Sequence, residues 1–70
     1  MEIKATDYEA KDIMRFMREW CELDQKKFAE KIGKSYRSLQ GYEGGTIGYG
    51  VNMLLDIARQ NDIEIIIRKK

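Results

Sequence analysis

The chain has no histidine and a single cysteine, Cys21. An internal disulfide is therefore excluded, along with the usual zinc and haem ligand sets and most Ser-His or Cys-His nucleophilic arrangements. No apolar run approaches the roughly 18 residues that a membrane span requires. The opening "MEIKATDYEAKD" has no signal-peptide character, so a soluble, cytoplasmic protein is the expectation. Charge of one sign is also scarce overall, because the formal net charge at pH 7 is only +1. What remains, 43% hydrophobic and 36% charged residues, is a globular composition. Seventy residues make a single domain with a modest core, and an oligomeric partner is a fair expectation for so small a fold.

The charge is small in sum but segregated. Residues 1–24 carry four cations against seven anions, whereas residues 25–41 carry Lys26, Lys27, Lys31, Lys34 and Arg37 against Glu30 alone. Residues 42–70 are balanced. Only such a local patch can steer an anionic partner.

The periodicity predicts a mainly α fold. "MEIKA" alternates briefly and reads as a short strand with Ile3 inward. Thr6 or Asp7 can cap a first helix running to about Glu22. On its wheel Phe16, Trp20, Ile13, Met17, Cys21 and Met14 form one apolar arc about 160° wide, more than a single packing neighbour needs. Asp24 caps a second helix, Gln25 to Ile32, which Gly33 ends. Ser35 caps a third, about Tyr36 to Glu43, with Leu39 and Tyr42 inward and Gly44-Gly45 stopping it. "TIGYG" is a loop, and Gly50 opens a fourth helix to about Asn61 with Val51, Leu54, Leu55, Ile57 and Ala58 inside. In "DIEIIIRKK" the period changes to two, which predicts a C-terminal strand over residues 63–69.

Two short helices joined by a turn at Gly33, with the small Ala29 between their axes, have the spacing of a helix-turn-helix over residues 24–43. Phe28, Ile32, Leu39 and Tyr42 then share a core. Gln25, Lys26, Lys34, Ser35, Tyr36, Arg37, Gln40 and Gly41 are left directed outward on one side.

In this stretch the sequence resembles the helix-turn-helix domain of the phage repressor and Cro-like proteins, the XRE family. Leu23, Gln25, Phe28-Ala29, Ile32-Gly33, Ser35, Leu39, Tyr42-Glu43 and Gly45 carry the resemblance, which extends more loosely into "VNMLLDIA" and covers residues 13–61. It implies that the third helix enters the major groove of double-stranded DNA. Tyr36, Arg37 and Gln40 would then read bases, with Arg37 bidentate to guanine and Gln40 paired with adenine. Gln25 and Lys26 at the second helix, Lys34 and Ser35 in the turn, and Thr46 in the following loop would hold phosphates. Arg18 and Glu43 match a pair that ties the first helix to the third, and the edge position of Arg18 on the apolar arc agrees. The sequence departs from the family pattern at Lys34, often apolar, at Gly44, usually asparagine, and at Gly41. A glycine at 41 either lets DNA approach the base-reading surface closely or relieves local crowding.

Blander roles suit several other residues. Trp20 and Phe16 fit packing better than base stacking, and Cys21 fits an inert core thiol. Ser35 and Ser38 have no base near them in sequence, so neither an enzyme nor a cofactor is expected. The C-terminal strand, through Ile63, Ile65, Ile66 and Ile67, is expected to pair with "EIKA" of its own chain or with a second chain. Resemblance to Cro-like proteins that end in a strand favours a homodimer. The expectation is a four-to-five-helix, repressor-like regulator of transcription acting on a pseudo-palindromic operator. An antitoxin-type autoregulator whose terminal strands also bind a toxin is the alternative, and a helix-turn-helix module that binds only protein is a further one.

Overall fold

The computed structural model describes all 70 residues. Four helices form in the order α1 (Ala10–Trp20), α2 (Gln25–Ile32), α3 (Tyr36–Gly44) and α4 (Val51–Gln60). A single 3₁₀ turn, Ala5–Asp7, precedes them.

Each of the two central helices begins where a short side chain can take an otherwise unpaired N–H. Asp24 Oδ1 accepts from Lys27 N at 2.8 Å and Ser35 Oγ from Ser38 N at 3.0 Å. The turn between α2 and α3 depends on Gly33, whose φ of 72° is a left-handed conformation that disfavours a Cβ. Its neighbour Lys34 donates back to the Ala29 carbonyl at 2.9 Å, satisfying one of the last carbonyls of α2.

Met14 and Met17 of α1, Phe28, Ala29 and Ile32 of α2, Leu39 of α3 and Ile57 of α4 form the buried core. Burying a side chain such as Phe28 or Leu39 contributes about 1.5–3 kcal/mol. α3 packs on both α1 and α2, so its inner face is consumed by the core and its outer face is held away from it.

Three expectations need correction. Thr6 and Asp7 lie in the 3₁₀ turn, and α1 starts only at Ala10, where the Asp12 carboxylate accepts from the N–H of Glu9 at 3.2 Å. A carboxylate already in the first turn outcompetes the earlier candidates. Val51 is not inside: at the first position of α4 it is 69% exposed.

No strand forms at either end. Asn61 and Ile63 both donate to the Ala58 carbonyl, Asp62 turns left-handed at φ 55°, and Ile63 tucks against the core. Beyond it, residues 64–70 make no backbone–backbone hydrogen bond at all. Alternation supplies a strand's faces, but a ladder requires a partner backbone, and "EIKA" does not provide it. Ile65, Ile66 and Ile67 are exposed, Ile66 by 69% and Ile67 by 96%. Both termini border one groove together with Ile13, Met17, Trp20, Leu54 and Leu55.

Candidate nucleic-acid interface

The outer side of α3 begins with Tyr36, Arg37 and Gln40, all exposed. On a wheel of about 100° per residue they fall within one third of the circumference, with Tyr42 opposite and Leu39 off to the side of Tyr36. Being at the start of α3, Tyr36 and Arg37 also present main-chain N–H groups that have no partner within the helix.

Lys26, Lys27, Lys31 and Lys34, on α2 and in the turn before α3, are also exposed. The molecule's four ion pairs are Lys11–Glu9, Arg15–Asp12, Arg18–Glu43 and Arg59–Asp56. None engages a cation of the 25–41 segment. Five positive charges, against Glu30 alone, are therefore exposed and without an ion-pair partner over residues 25–41, a local excess of the sign that steers anions.

Behind this surface sits an ion pair of another kind. Arg18 Nε and Nη2 reach the two Glu43 oxygens at 2.8 and 3.0 Å, and Nη1 donates to the Leu23 carbonyl at 3.1 Å. The Glu43 side chain is only 5% exposed. The hydrogen bond that Arg18 donates to Glu43, with the carboxylate's charge, holds the Arg18 pKa above the ordinary arginine value, against the opposing effect of burial. Bidentate geometry of this sort fixes orientation as well as energy, so the pair sets how α3 stands on α1.

Gln25 joins the same cluster, its Nε2 donating to Glu43 Oε1 at 3.2 Å. Its side-chain amide is thus partly committed to the protein, and what it offers a phosphate most freely is its main-chain N–H at the start of α2. Ser35 is committed as well: its hydroxyl accepts from Ser38 N and donates to Ser38 Oγ at 2.8 Å. Lys26, Lys34 and Thr46 are exposed, although the Thr46 N–H is occupied by the Gly41 carbonyl at 3.0 Å.

Gly41 does not belong to the exposed surface. It is buried, and a Cβ built on it would meet Ile47 Cδ1 at 2.4 Å. Crowding accounts for this glycine. Its opposite is Gly44, which is exposed and has nothing within 4 Å of a Cβ, and which follows Gln40 by one turn on the outer side of α3. The sequence marks Gly44 as a helix stop and a departure from the family pattern, and Ile47 as loop. The signal available for Gly44 was its place in the 36–40–44 series, and for Ile47 there was none.

Tyr49 closes the loop after α3. Its hydroxyl donates to the Ala10 carbonyl and its ring meets Tyr42 edge-on at 5.8 Å. Elsewhere, Tyr8 packs edge-on to Phe16, and Phe16 stacks on Trp20. Cys21 Sγ donates to Asn61 Oδ1 at 3.5 Å, joining α1 to the end of α4. No group of acidic, cysteine or histidine side chains has metal-ligating geometry, and no helix is long and apolar enough to cross a membrane. No protein family, curated protein or solved structure matches the chain.

Proposed function

We propose that the chain is a sequence-specific double-stranded DNA-binding regulator of transcription, a repressor acting at a pseudo-palindromic operator. The observation that carries this reading is the pairing of an outward first turn of α3, bearing Tyr36, Arg37 and Gln40, with five cations that have no acidic partner. A phosphate backbone matches the lysines, since each neutralised phosphate releases condensed counterions. Base edges in the major groove match the side chains of α3: Arg37 suits guanine O6 and N7, and Gln40 suits adenine N6 and N7. Lys26 and Lys34, with main-chain N–H groups of Gln25 and Ser35, serve as phosphate holders, and the Arg18–Glu43 pair keeps α3 at a fixed presentation.

The active species in this reading is a homodimer. Residues 64–69 have free backbone donors and acceptors and display Ile66 and Ile67 to water, an arrangement that invites strand pairing. Antiparallel self-pairing about Ile66 sets Glu64 opposite Arg68 of the second copy, so opposite charges flank the isoleucines. Two copies joined at this end would present two α3 helices to successive major grooves about 34 Å apart. Selection of bound duplexes from a random pool tests base preference, half-site symmetry and spacing together. Asymmetric or sequence-indifferent products would refute the reading.

A further inference from the structure

Gly41 lies one helical turn beyond Arg37 and next to Gln40 on α3, yet it contributes no side chain to that surface. Another residue fills the space. A Cβ on Gly41 would fall 2.4 Å from Ile47 Cδ1, 2.6 Å from Cγ1 and 3.1 Å from Cβ. The branched tip of Ile47 therefore occupies the volume in which a side chain at position 41 would begin.

Ile47 is held there firmly. The N–H groups of Gly45, Thr46 and Ile47 all point to the Gly41 carbonyl, at 3.0, 3.0 and 3.1 Å. This caps the end of α3 and fixes the Ile47 backbone to the helix. Packing explains only part of the side chain, because Ile47 remains 43% exposed. Gly44 and Gly48 border the same cleft as Ile47 and have no side chains to cover its exposed part.

We propose that Ile47 is a specificity-determining residue that stands in for a side chain at position 41 of α3 and reads the 5-methyl group of a thymine in the major groove. This rests on the DNA-binding reading above. An isoleucine tip has no donor or acceptor, so it can distinguish bases only by apolar contact, and thymine alone among the four presents a methyl group in the major groove. One methyl-sized apolar group removed from water corresponds to about a fourfold change in affinity.

The test uses the full chain and the duplex selected from a random pool. Each thymine is replaced in turn by deoxyuridine, which removes the methyl and leaves every hydrogen-bonding group. Wild-type protein is expected to bind about fourfold more weakly when one particular thymine of a single half-site is replaced. Ile47→Ala is expected to bind the thymine and deoxyuridine duplexes equally at that position, while Arg37→Ala still distinguishes them. Ile47→Val, which keeps the Cβ branch against Gly41 and deletes only the outer methyl, covers the case in which Ile47→Ala does not fold; it should show a reduced thymine preference. The inference is overturned if no replacement matters, if the half-site contains no thymine, or if the Ile47 variants retain full sensitivity. A base preference that depends on Arg37 but includes no methyl effect would sink this inference and leave the DNA-binding reading standing. Failure to select any duplex would sink both.

Discussion

Glu43 holds Arg18 through both carboxylate oxygens, 2.8 Å from Nε and 3.0 Å from Nη2, with the acid almost wholly out of solvent. The two residues are far apart in sequence, one on α1 and the other near the end of α3, so their pairing fixes the presentation of the outer face. Removing the acid leaves a partly buried guanidinium uncompensated. Glu43→Ala should lower the unfolding free energy by about 3 kcal/mol, measured by urea denaturation at neutral pH. Replacing both partners with apolar residues should recover much of that loss, and a loss for the single variant well under 1 kcal/mol would contradict this role.

Two glycines of α3 should respond in opposite directions. Gly41→Ala drives a methyl into Ile47 and should cost about 1–3 kcal/mol. Gly44→Ala meets nothing within 4 Å and gains helix propensity, so it should be neutral or stabilising by up to about 1 kcal/mol. Thermal unfolding of the two variants side by side checks the contrast, and equal shifts would refute it.

The stability of the loop after α3 should fall in alkali. Burial raises the Tyr49 phenol above its usual pKa, only partly countered by a hydrogen bond with the Met14 backbone. A raised pKa means that the folded state binds this proton more tightly than the unfolded chain. The stabilisation is therefore complete below about pH 10 and is lost as pH rises through the folded value. Denaturant titrations from pH 8 upward should show this decline, and Tyr49→Phe should show less of it while losing the bond to the Ala10 carbonyl.

The unpaired C-terminal residues should define the dimer. Ile66→Lys is expected to shift the sedimentation coefficient at tens of micromolar from dimer to monomer without unfolding the helices. Glu64→Arg and Arg68→Glu should each weaken association, because like charges then oppose each other across the pair. The double exchange should restore it. A wild-type monomer at that concentration would contradict the arrangement, as would failure of the double exchange.

What could be read from the sequence was whatever is decided locally. Asp24 and Ser35 cap the N–H groups three residues ahead, so the limits of α2 and the start of α3 followed from short patterns. The left-handed Gly33 was equally local. The Arg18–Glu43 pair reached further, since a helical wheel and a family resemblance both pointed to it. Other features depended on what the chain meets in space. Thr6 and Asp7 both read as starts for α1, whereas the helix begins after Glu9, whose N–H the Asp12 carboxylate takes, and propensity alone does not rank these positions. The alternation in residues 63–69 was visible, but no other segment of the chain pairs with residues 64–70 through backbone hydrogen bonds. Gly41 had two readings because the approach of Ile47 is a tertiary event, and the turning of Gln25 toward Glu43 came from the same kind of long-range encounter.

The most direct check on the central claim is the affinity of wild-type protein and of Arg37→Ala and Lys34→Ala for the selected duplex and its single-base variants over a range of salt. Arg37→Ala should lose about 1–3 kcal/mol on the selected duplex and become indifferent at one base position per half-site. Lys34→Ala should weaken binding to all duplexes alike and flatten the salt dependence by about one unit for each half-site. An Arg37→Ala protein with unchanged affinity and preference, or wild-type binding that is absent or independent of salt, would contradict the account.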